Sequence, residues 1–291
     1  MKIIYTTKRL SKKRRDMINK IDNIISEYSA KGIQLTVRQC YYQCVSRGIM
    51  HNNSASYTKI SELITDGRTD GRLAGLLDWD AIEDRTRYTR ENSHWISPKE
   101  IIDDAVEMYQ IDTRATQPIY VECWIEKDSL VSILEETCRR LDVPCCSCRG
   151  FPSITMLHEA SQRFQEHDHS VLLYAGDHDP SGLTIPESIK KAFNQFGVDV
   201  DFRRIGITLD QIASLDLVPF PAKVQDKNFK KYVETTGQFQ AWELDALPPE
   251  ILSAMFENEI NSLTDFDKLK QLQRLEQADR LQLAEIRNSL S

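Results

Sequence analysis

Two short, mainly apolar runs stand out from the mixed pattern of hydrophobic and polar residues along this chain. They are residues 120–125, YVECWI, and residues 171–175, VLLYA. Runs of this kind are typical of strands that are buried on both faces of a parallel sheet. A helical pattern follows the first run, where Asp128 or Ser129 is the expected N-cap, and a Gly-Pro turn then leads into a second helix. Strands that alternate with helices in this way predict an α/β fold.

Acidic residues directly follow both predicted strands. Glu126 comes after the first, and Asp177 and Asp179 come after the second. Because open α/β sheets build their sites at the carboxyl ends of strands, we expect these carboxylates to lie at one edge. Carboxylates repel one another unless a cation lies between them, and hard oxygen ligands suit Mg²⁺, with Mn²⁺ as an alternative ion. The three residues are therefore candidate metal ligands, although an Asp-x-Asp pair alone is equally consistent with a turn.

A third segment, LTVRQCYYQCVSRG, combines a helix start with an apolar stripe. Thr36 and Gln39 have the spacing of a capping box. The helical period that follows assigns Tyr41 to the core, whereas Tyr42 is rotated about 100° from it and is predicted to face outward with Arg38. An outward tyrosine one turn from an arginine is a candidate nucleophile beside a phosphate-binding group, although such a pair is more often structural.

These motifs resemble those of a known family. Glu126 with Lys127, the RGFPS segment and the DHDPSG segment are similar, in kind and order, to the motifs of the Toprim domain. More narrowly, they resemble its version in the A subunit of topoisomerase VI and the meiotic double-strand-break transesterase. The segment WELDALPPEILSAMFENEI resembles the closing turn and helix of that family. The resemblance covers most of residues 118–260.

The N-terminal third resembles the same family. The R-x-x-Y-Y pattern after a capping threonine is similar to the helix of a winged-helix, CAP-like domain that carries the active-site tyrosine, and Tyr42 matches the nucleophile. An amphipathic segment, SYTKISELIT, is followed by a short apolar wing and a D-x-T-R motif at Asp84, Thr86 and Arg87. These features are similar to bacterial and viral relatives of the A subunit, including the reduced Mini-A type.

The resemblance implies three regions in the 291 residues. The first is a winged-helix DNA-binding domain over residues 1–112. The second is a Toprim domain with a Rossmann-like parallel sheet over residues 113–265, after the polar stretch DTRATQ. The third is a C-terminal helix over residues 266–291, which we expect to pack against the Toprim domain of its own chain and not against a partner.

The same resemblance implies magnesium-dependent cleavage of duplex DNA by tyrosine transesterification, with a 5′-phosphotyrosyl product. Arg38 would stabilise charge on the tyrosine and the phosphate, and Lys127 would add positive charge, unless it only forms a salt bridge. In this family the tyrosine of one protomer works with the metal of the other, which implies a homodimer. Because the sequence has no G-x-x-x-x-G-K-S/T loop, any ATPase would be a separate subunit.

Two other functions remain open on the sequence alone. One is a metal-dependent Toprim nuclease, in which water attacks DNA or RNA and the tyrosine takes no part. The other is a non-catalytic DNA-binding protein that retains the fold. The tyrosine helix is also a DNA-binding helix, so the position of Tyr42 does not decide between them.

Composition changes this interpretation only slightly. The net charge of −7 opposes DNA binding, but a basic cluster near the N-terminus, directly before a predicted helix, is a candidate for phosphate contacts. The cluster contains Lys8, Arg9, Lys12, Lys13, Arg14 and Arg15. No run reaches the ~20 apolar residues of a membrane span, so we expect a cytoplasmic protein with reduced cysteines and no membrane partner. His178, between the two aspartates, is expected to point away from them.

Overall fold

The computed structural model has a mixed α/β fold built around a four-stranded parallel sheet, in the order β2-β1-β3-β4. It describes residues 2–5, 10–65, 71–79, 82 and 92–289. The strands are β1 Tyr120–Ile125, β2 Cys145–Ser147, β3 Ser170–Ala175 and β4 Asp201–Gly206. Strands β1 and β3 coincide with the two apolar runs, so the prediction of buried parallel strands is confirmed.

Helices cover the sheet and form the N-terminal region. Their bounds are α1 Lys12–Ser29, α2 Val37–Ser46, α3 Ser54–Thr65, α4 Pro98–Met108, α5 Val131–Leu141, α6 Ile154–Gln165, α7 Ile185–Gln195, α8 Leu209–Ser214, α9 Phe229–Thr236, α10 Pro249–Ser262 and α11 Phe266–Ser289. The 3₁₀ helices Asp128–Leu130 and Leu244–Ala246 lie next to the sheet, and a small antiparallel pair joins β5 Phe220–Pro221 to β6 Gln240–Ala241.

The sheet separates two hydrophobic layers. Cys123 and Ile125 of β1 pack with α5 and α10 on one face, whereas Trp124 packs with α6 and α7 on the other. Covering both faces explains why β1 and β3 lack an alternation of polar and apolar residues. Glu122 is the exception in β1, and it is buried because Trp124 Nε1 and Arg163 donate hydrogen bonds to its carboxylate.

The N-terminal core packs α1, α2 and α3 together. The predicted capping box at the start of α2 is confirmed, since Gln39 N donates to Thr36 Oγ1 and Thr36 N donates to Gln39 Oε1. Two isolated bridges, Ile4 with Ala74 and Leu35 with Ile82, complete what is described of this region. The predicted D-x-T-R motif at Asp84, Thr86 and Arg87 lies outside the described residues, as do Lys8 and Arg9 of the basic cluster.

Two local predictions differ from the structure. Asp128 and Ser129 do not cap a helix by their side chains, because Asp128 pairs with Arg149 and Ser129 donates to Asp245. A 3₁₀ turn precedes α5 instead. The described part of the basic cluster, Lys12 to Arg15, forms the exposed first turn of α1 and does not precede the helix.

The C-terminal helix α11 packs within the chain, as predicted, but along α4, which lies in the predicted N-terminal region and not in the Toprim region. The hydroxyl of Tyr109, at the end of α4, donates to Asp279 Oδ2 at 2.7 Å, and Glu276 accepts from the amide of Ile111. Among the described helices, none combines the length and the apolar character that crossing a membrane requires.

Candidate active site

The parallel register of β1 and β3 brings Glu126 beside the aspartate segment. Ile125 pairs with Ala175, so the residues that follow both strands leave the sheet at the same edge. Glu126 Oε2 accepts hydrogen bonds from Asp177 N at 2.9 Å and from the hydroxyl of Tyr174 at 3.4 Å. The predicted proximity of Glu126 to the aspartate pair is therefore confirmed.

Glycines at two positions make this close approach feasible. A Cβ atom at Gly176 would lie 2.6 Å from Glu126 Oε2, and a Cβ atom at Gly182 would lie 2.4 Å from the carbonyl oxygen of Asp177. Both separations are too short for any side chain, so the loop needs glycine where the backbone packs against the acidic groups.

The two aspartates of the Asp-x-Asp pair have different partners. Asp177 is buried, and its Oδ1 accepts from Leu244 N at 2.7 Å. Its Oδ2 lies 3.0 Å from Lys127 Nζ. Asp179 Oδ1 accepts from Gly182 N at 2.6 Å, which closes the turn before α7. Asp179 therefore has the turn-forming role that the sequence left open, and its second oxygen is still a potential ligand.

His178 points away from the carboxylates, as predicted. Its backbone pairs with Trp242 in both directions, and its Nδ1 lies 3.1 Å from the hydroxyl of Tyr232. Burial lowers the pKa of His178 to about 4, so its imidazole is neutral at pH 7. The residue joins the Asp-x-Asp loop to the segment that carries Glu243.

Carboxylate oxygens at this edge fit Mg²⁺ or Mn²⁺ by their chemistry. Burial raises the pKa of Asp177 and of Glu126, and the nearby Asp179 carboxylate raises that of Glu126 further. A divalent cation would oppose both shifts. Within the described ranges, however, no three His, Cys, Asp or Glu side chains converge closely enough to form a metal cluster. The donor set fits, and Glu126, Asp177 and Asp179 would have to draw together around the ion.

Lys127 forms ion pairs with three carboxylates. Its Nζ lies 3.0 Å from Asp177 Oδ2, 3.0 Å from Glu243 Oε2 and 2.6 Å from Asp245 Oδ2. Burial disfavours the charged ammonium, but the three carboxylates outweigh that effect and raise the pKa of Lys127. The salt-bridge interpretation of Lys127 is thus correct, and the lysine also joins the metal-ligand candidates to the turn 243–245.

Arg38 binds the same oxygen of Glu243. Its Nε donates to Glu243 Oε2 at 2.7 Å, and a terminal guanidinium nitrogen also donates to that oxygen. This contact attaches helix α2 to the carboxyl edge of the sheet. Although burial opposes ionisation of Glu243, Lys127 and Arg38 outweigh it and lower its pKa. Glu243 therefore carries a negative charge between two cations.

The prediction that Tyr42 faces outward is wrong. Tyr42 is only 5% exposed, because α2 is covered on a second side by the 3₁₀ helix Leu244–Ala246. A single apolar stripe does not reveal such a second contact. Burial raises the pKa of Tyr42 and Glu243 raises it further, whereas Arg38 and Lys127 lower it. The charges of both cations thus act on the phenol from its own chain, whereas the family resemblance implied that the tyrosine works with the metal site of the other protomer.

Arg204, in the second half of β4, is a site residue that the sequence did not reveal. Its Nη2 donates to the carbonyl oxygens of Gly176 at 2.8 Å and Asp177 at 2.7 Å, and its Nη1 donates to that of Gly182 at 3.1 Å. Its buried Nε has no partner in the part of the chain that the structure describes. Arg204 fixes the backbone of the aspartate loop and places a positive charge behind the carboxylates.

Glu243 and Asp245 were also missed as site residues. The sequence carries a signal for them, since they are the two acidic residues of WELDALPP, the start of the segment described above. With these residues, the chain is an α/β protein that has an acidic cluster, two paired cations and a tyrosine at the carboxyl edge of a parallel sheet. No model of a known protein family matches the chain, and no curated protein sequence matches it either.

Proposed function

We propose that this chain is a Mg²⁺-dependent DNA-cleaving transesterase of the topoisomerase VI A type, with an N-terminal winged helix and a Toprim-like domain. The observation that carries this proposal is the shared carboxylate of Glu243. Arg38 from the tyrosine helix and Lys127 from the metal-ligand edge both bind its Oε2 atom. The nucleophile candidate and the acidic site thereby belong to one cluster.

In the proposed reaction, the phenol oxygen of Tyr42 attacks a backbone phosphorus atom and forms a new P–O bond. The bond from phosphorus to the 3′ oxygen breaks, the phenol loses its proton and the departing 3′ oxygen gains one. Arg38 stabilises the phenolate and the charge on the phosphate, because its planar donors match phosphate oxygens. The product is a 5′-phosphotyrosyl link that keeps the cleavage reversible.

Glu126, Asp177 and Asp179 would hold the divalent ion, which would be Mg²⁺ with Mn²⁺ as an alternative. A bound ion of this kind supplies positive charge to a phosphate oxygen. Arg204 keeps the loop of Asp177 in place, and Lys127 neutralises Asp177 before the ion arrives.

The proposal extends to the assembly. Two copies acting on opposite strands of duplex DNA would produce a double-strand break, which requires a homodimer. Strand passage would require an ATPase, and that activity would come from a separate subunit. The transesterification step itself consumes no ATP, because one phosphodiester bond replaces another.

A covalent-adduct assay tests the proposal. The protein is incubated with duplex DNA labelled at its 3′ ends and Mg²⁺ or Mn²⁺, denatured with detergent and separated by electrophoresis. A transesterase leaves the label attached to protein. Cut DNA with free ends and no protein-linked label would overturn the proposal.

A second candidate is a metal-dependent Toprim nuclease that does not use the tyrosine. The burial of Tyr42 and its raised pKa favour this alternative, since both oppose formation of a phenolate. In the nuclease, water would attack the phosphate at the same carboxylates. Full cutting by Tyr42→Phe, together with its loss in Asp177→Asn, would identify this activity.

A further inference from the structure

Arg38 and Lys127 are contributed by distant parts of the chain, yet they converge on one carboxylate oxygen. Arg38 lies on α2 and Lys127 follows β1, and both donate to Glu243 Oε2. A phosphate oxygen could accept hydrogen bonds from the same two side chains, because arginine and lysine are the usual protein ligands of phosphate.

The three acidic residues around Lys127 differ in how firmly they are held. Asp245 is fully buried, and Asp177 is fixed by the amide of Leu244. The side chain of Glu243 keeps 14% of its surface exposed, and that of Arg38 keeps 39%. Glu243 is therefore the carboxylate that a ligand from solvent reaches first.

Charge balance supports an exchange at Glu243. If Glu243 moved away, Lys127 would still be paired with Asp177 and Asp245. Among the residues that the structure describes, Arg38 would keep an ion pair only with Asp245 Oδ2, at 3.7 Å. A phosphodiester carries one negative charge, as Glu243 does, so the exchange leaves the net charge of the cluster unchanged.

We propose that Glu243 occupies the phosphate-binding position of Arg38 and Lys127 and competes with DNA for these two cations. This inference rests on the proposed function, because it takes a DNA phosphodiester as the ligand. Glu243 is then an internal competitor that keeps the site closed until DNA displaces it. The exchange would also remove the carboxylate that raises the pKa of Tyr42.

The test measures DNA binding without cleavage. A fluorescein-labelled duplex is titrated, in EDTA, with Tyr42→Phe protein that does or does not also carry Glu243→Gln. We expect Glu243→Gln to tighten binding at least about fivefold, as expected for removing a competing charge pair. The matched control is Glu250→Gln, which removes the same charge from a surface ion pair with Lys31.

An affinity of Glu243→Gln no tighter than that of its parent would overturn the inference, and so would either of two other results. One is an equal gain in Glu250→Gln and Glu243→Gln, which would mean that only the net charge matters. The other is a gain that persists when Arg38→Gln is added. If Glu243→Gln fails to fold, Glu243→Asp replaces it, because the shorter carboxylate keeps the charge but reaches the two cations less well and should also tighten binding. Since no cleavage is measured, a failure of the transesterase proposal in the adduct assay remains a separate result.

Discussion

The ammonium of Lys127 lies 3.0 Å from Oδ2 of Asp177, a candidate metal ligand. A lysine thus occupies one side of the carboxylate that a divalent ion would bind. The ammonium of Lys127 and a bound divalent ion would both neutralise Asp177, since an unpaired buried carboxylate is costly. The site therefore has an internal cation that stabilises it when no metal is bound.

Replacing Lys127 should show how strongly the metal-free site depends on its ammonium group. Lys127→Gln leaves Asp177 and Asp245 buried without their ammonium, so we expect a loss of about 3 kcal/mol in the free energy of unfolding. Added Mn²⁺ should raise the melting temperature more in this variant than in the wild type, because the ion replaces the missing charge. Lys31→Gln, at an exposed ion pair, is the control and should cost less than about 1 kcal/mol. Equal losses in both variants would contradict the structural role of Lys127.

Arg204 and Arg203 are neighbours on β4 with opposite environments, which makes them a matched pair. Arg204 donates to three loop carbonyls, whereas Arg203 forms an exposed ion pair with Asp201. We expect Arg204→Gln to lower the free energy of unfolding by about 3 kcal/mol. It should also weaken Mn²⁺ binding, measured by calorimetry, about tenfold or more. Arg203→Gln should change neither quantity appreciably, and unaltered Mn²⁺ affinity in Arg204→Gln would show that the loop does not depend on this arginine.

The pH dependence of stability reports on Asp177. Burial raises its pKa to about 8 from a usual value of 3.8, although Lys127 lowers it, so the folded protein favours the protonated carboxyl below that pH and the full ion pair with Lys127 above it. The stabilisation of the folded state by protonated Asp177 is complete below about pH 4 and is lost as pH rises through about 8. From about pH 5 to about pH 8, we expect the melting temperature of the metal-free wild type to fall more steeply with pH than that of Asp177→Asn. Identical pH profiles would show that Asp177 does not titrate in this window.

The glycine before the aspartate loop should tolerate no side chain. A methyl group at Gly176 meets Glu126 Oε2, so Gly176→Ala must displace either the carboxylate or the loop. We expect a loss of about 1–3 kcal/mol in the free energy of unfolding, as for other overpacked sites. Chemical denaturation measures it, and a variant as stable as the wild type would contradict the packing of Glu126 on this glycine.

The parts of the fold that depend on local pattern were predicted well. The two buried strands and the capping box of Thr36 and Gln39 follow from neighbouring residues alone. The placement of Glu126 beside Asp177 also followed, because the carboxyl ends of parallel strands share one edge.

The rest depends on contacts between distant residues. Tyr42 is buried by residues that lie about 200 positions later in the chain, and no helical period contains that information. Arg204 lies on a strand whose sequence shows nothing unusual, and only the three carbonyls that it binds reveal its role. The winged-helix and Toprim identities of the two regions, and the homodimer, stay predictions.

The most direct test of the central claim is to identify the residue that becomes linked to DNA. The adduct is digested with nuclease and protease, and the nucleotide-bearing peptide is sequenced by mass spectrometry. The account predicts a phosphotyrosyl link at Tyr42, abolished in Tyr42→Phe and retained in Tyr41→Phe, whose hydroxyl is bound to Asn52. A link at any other residue, or cut DNA with no linked peptide, would contradict it.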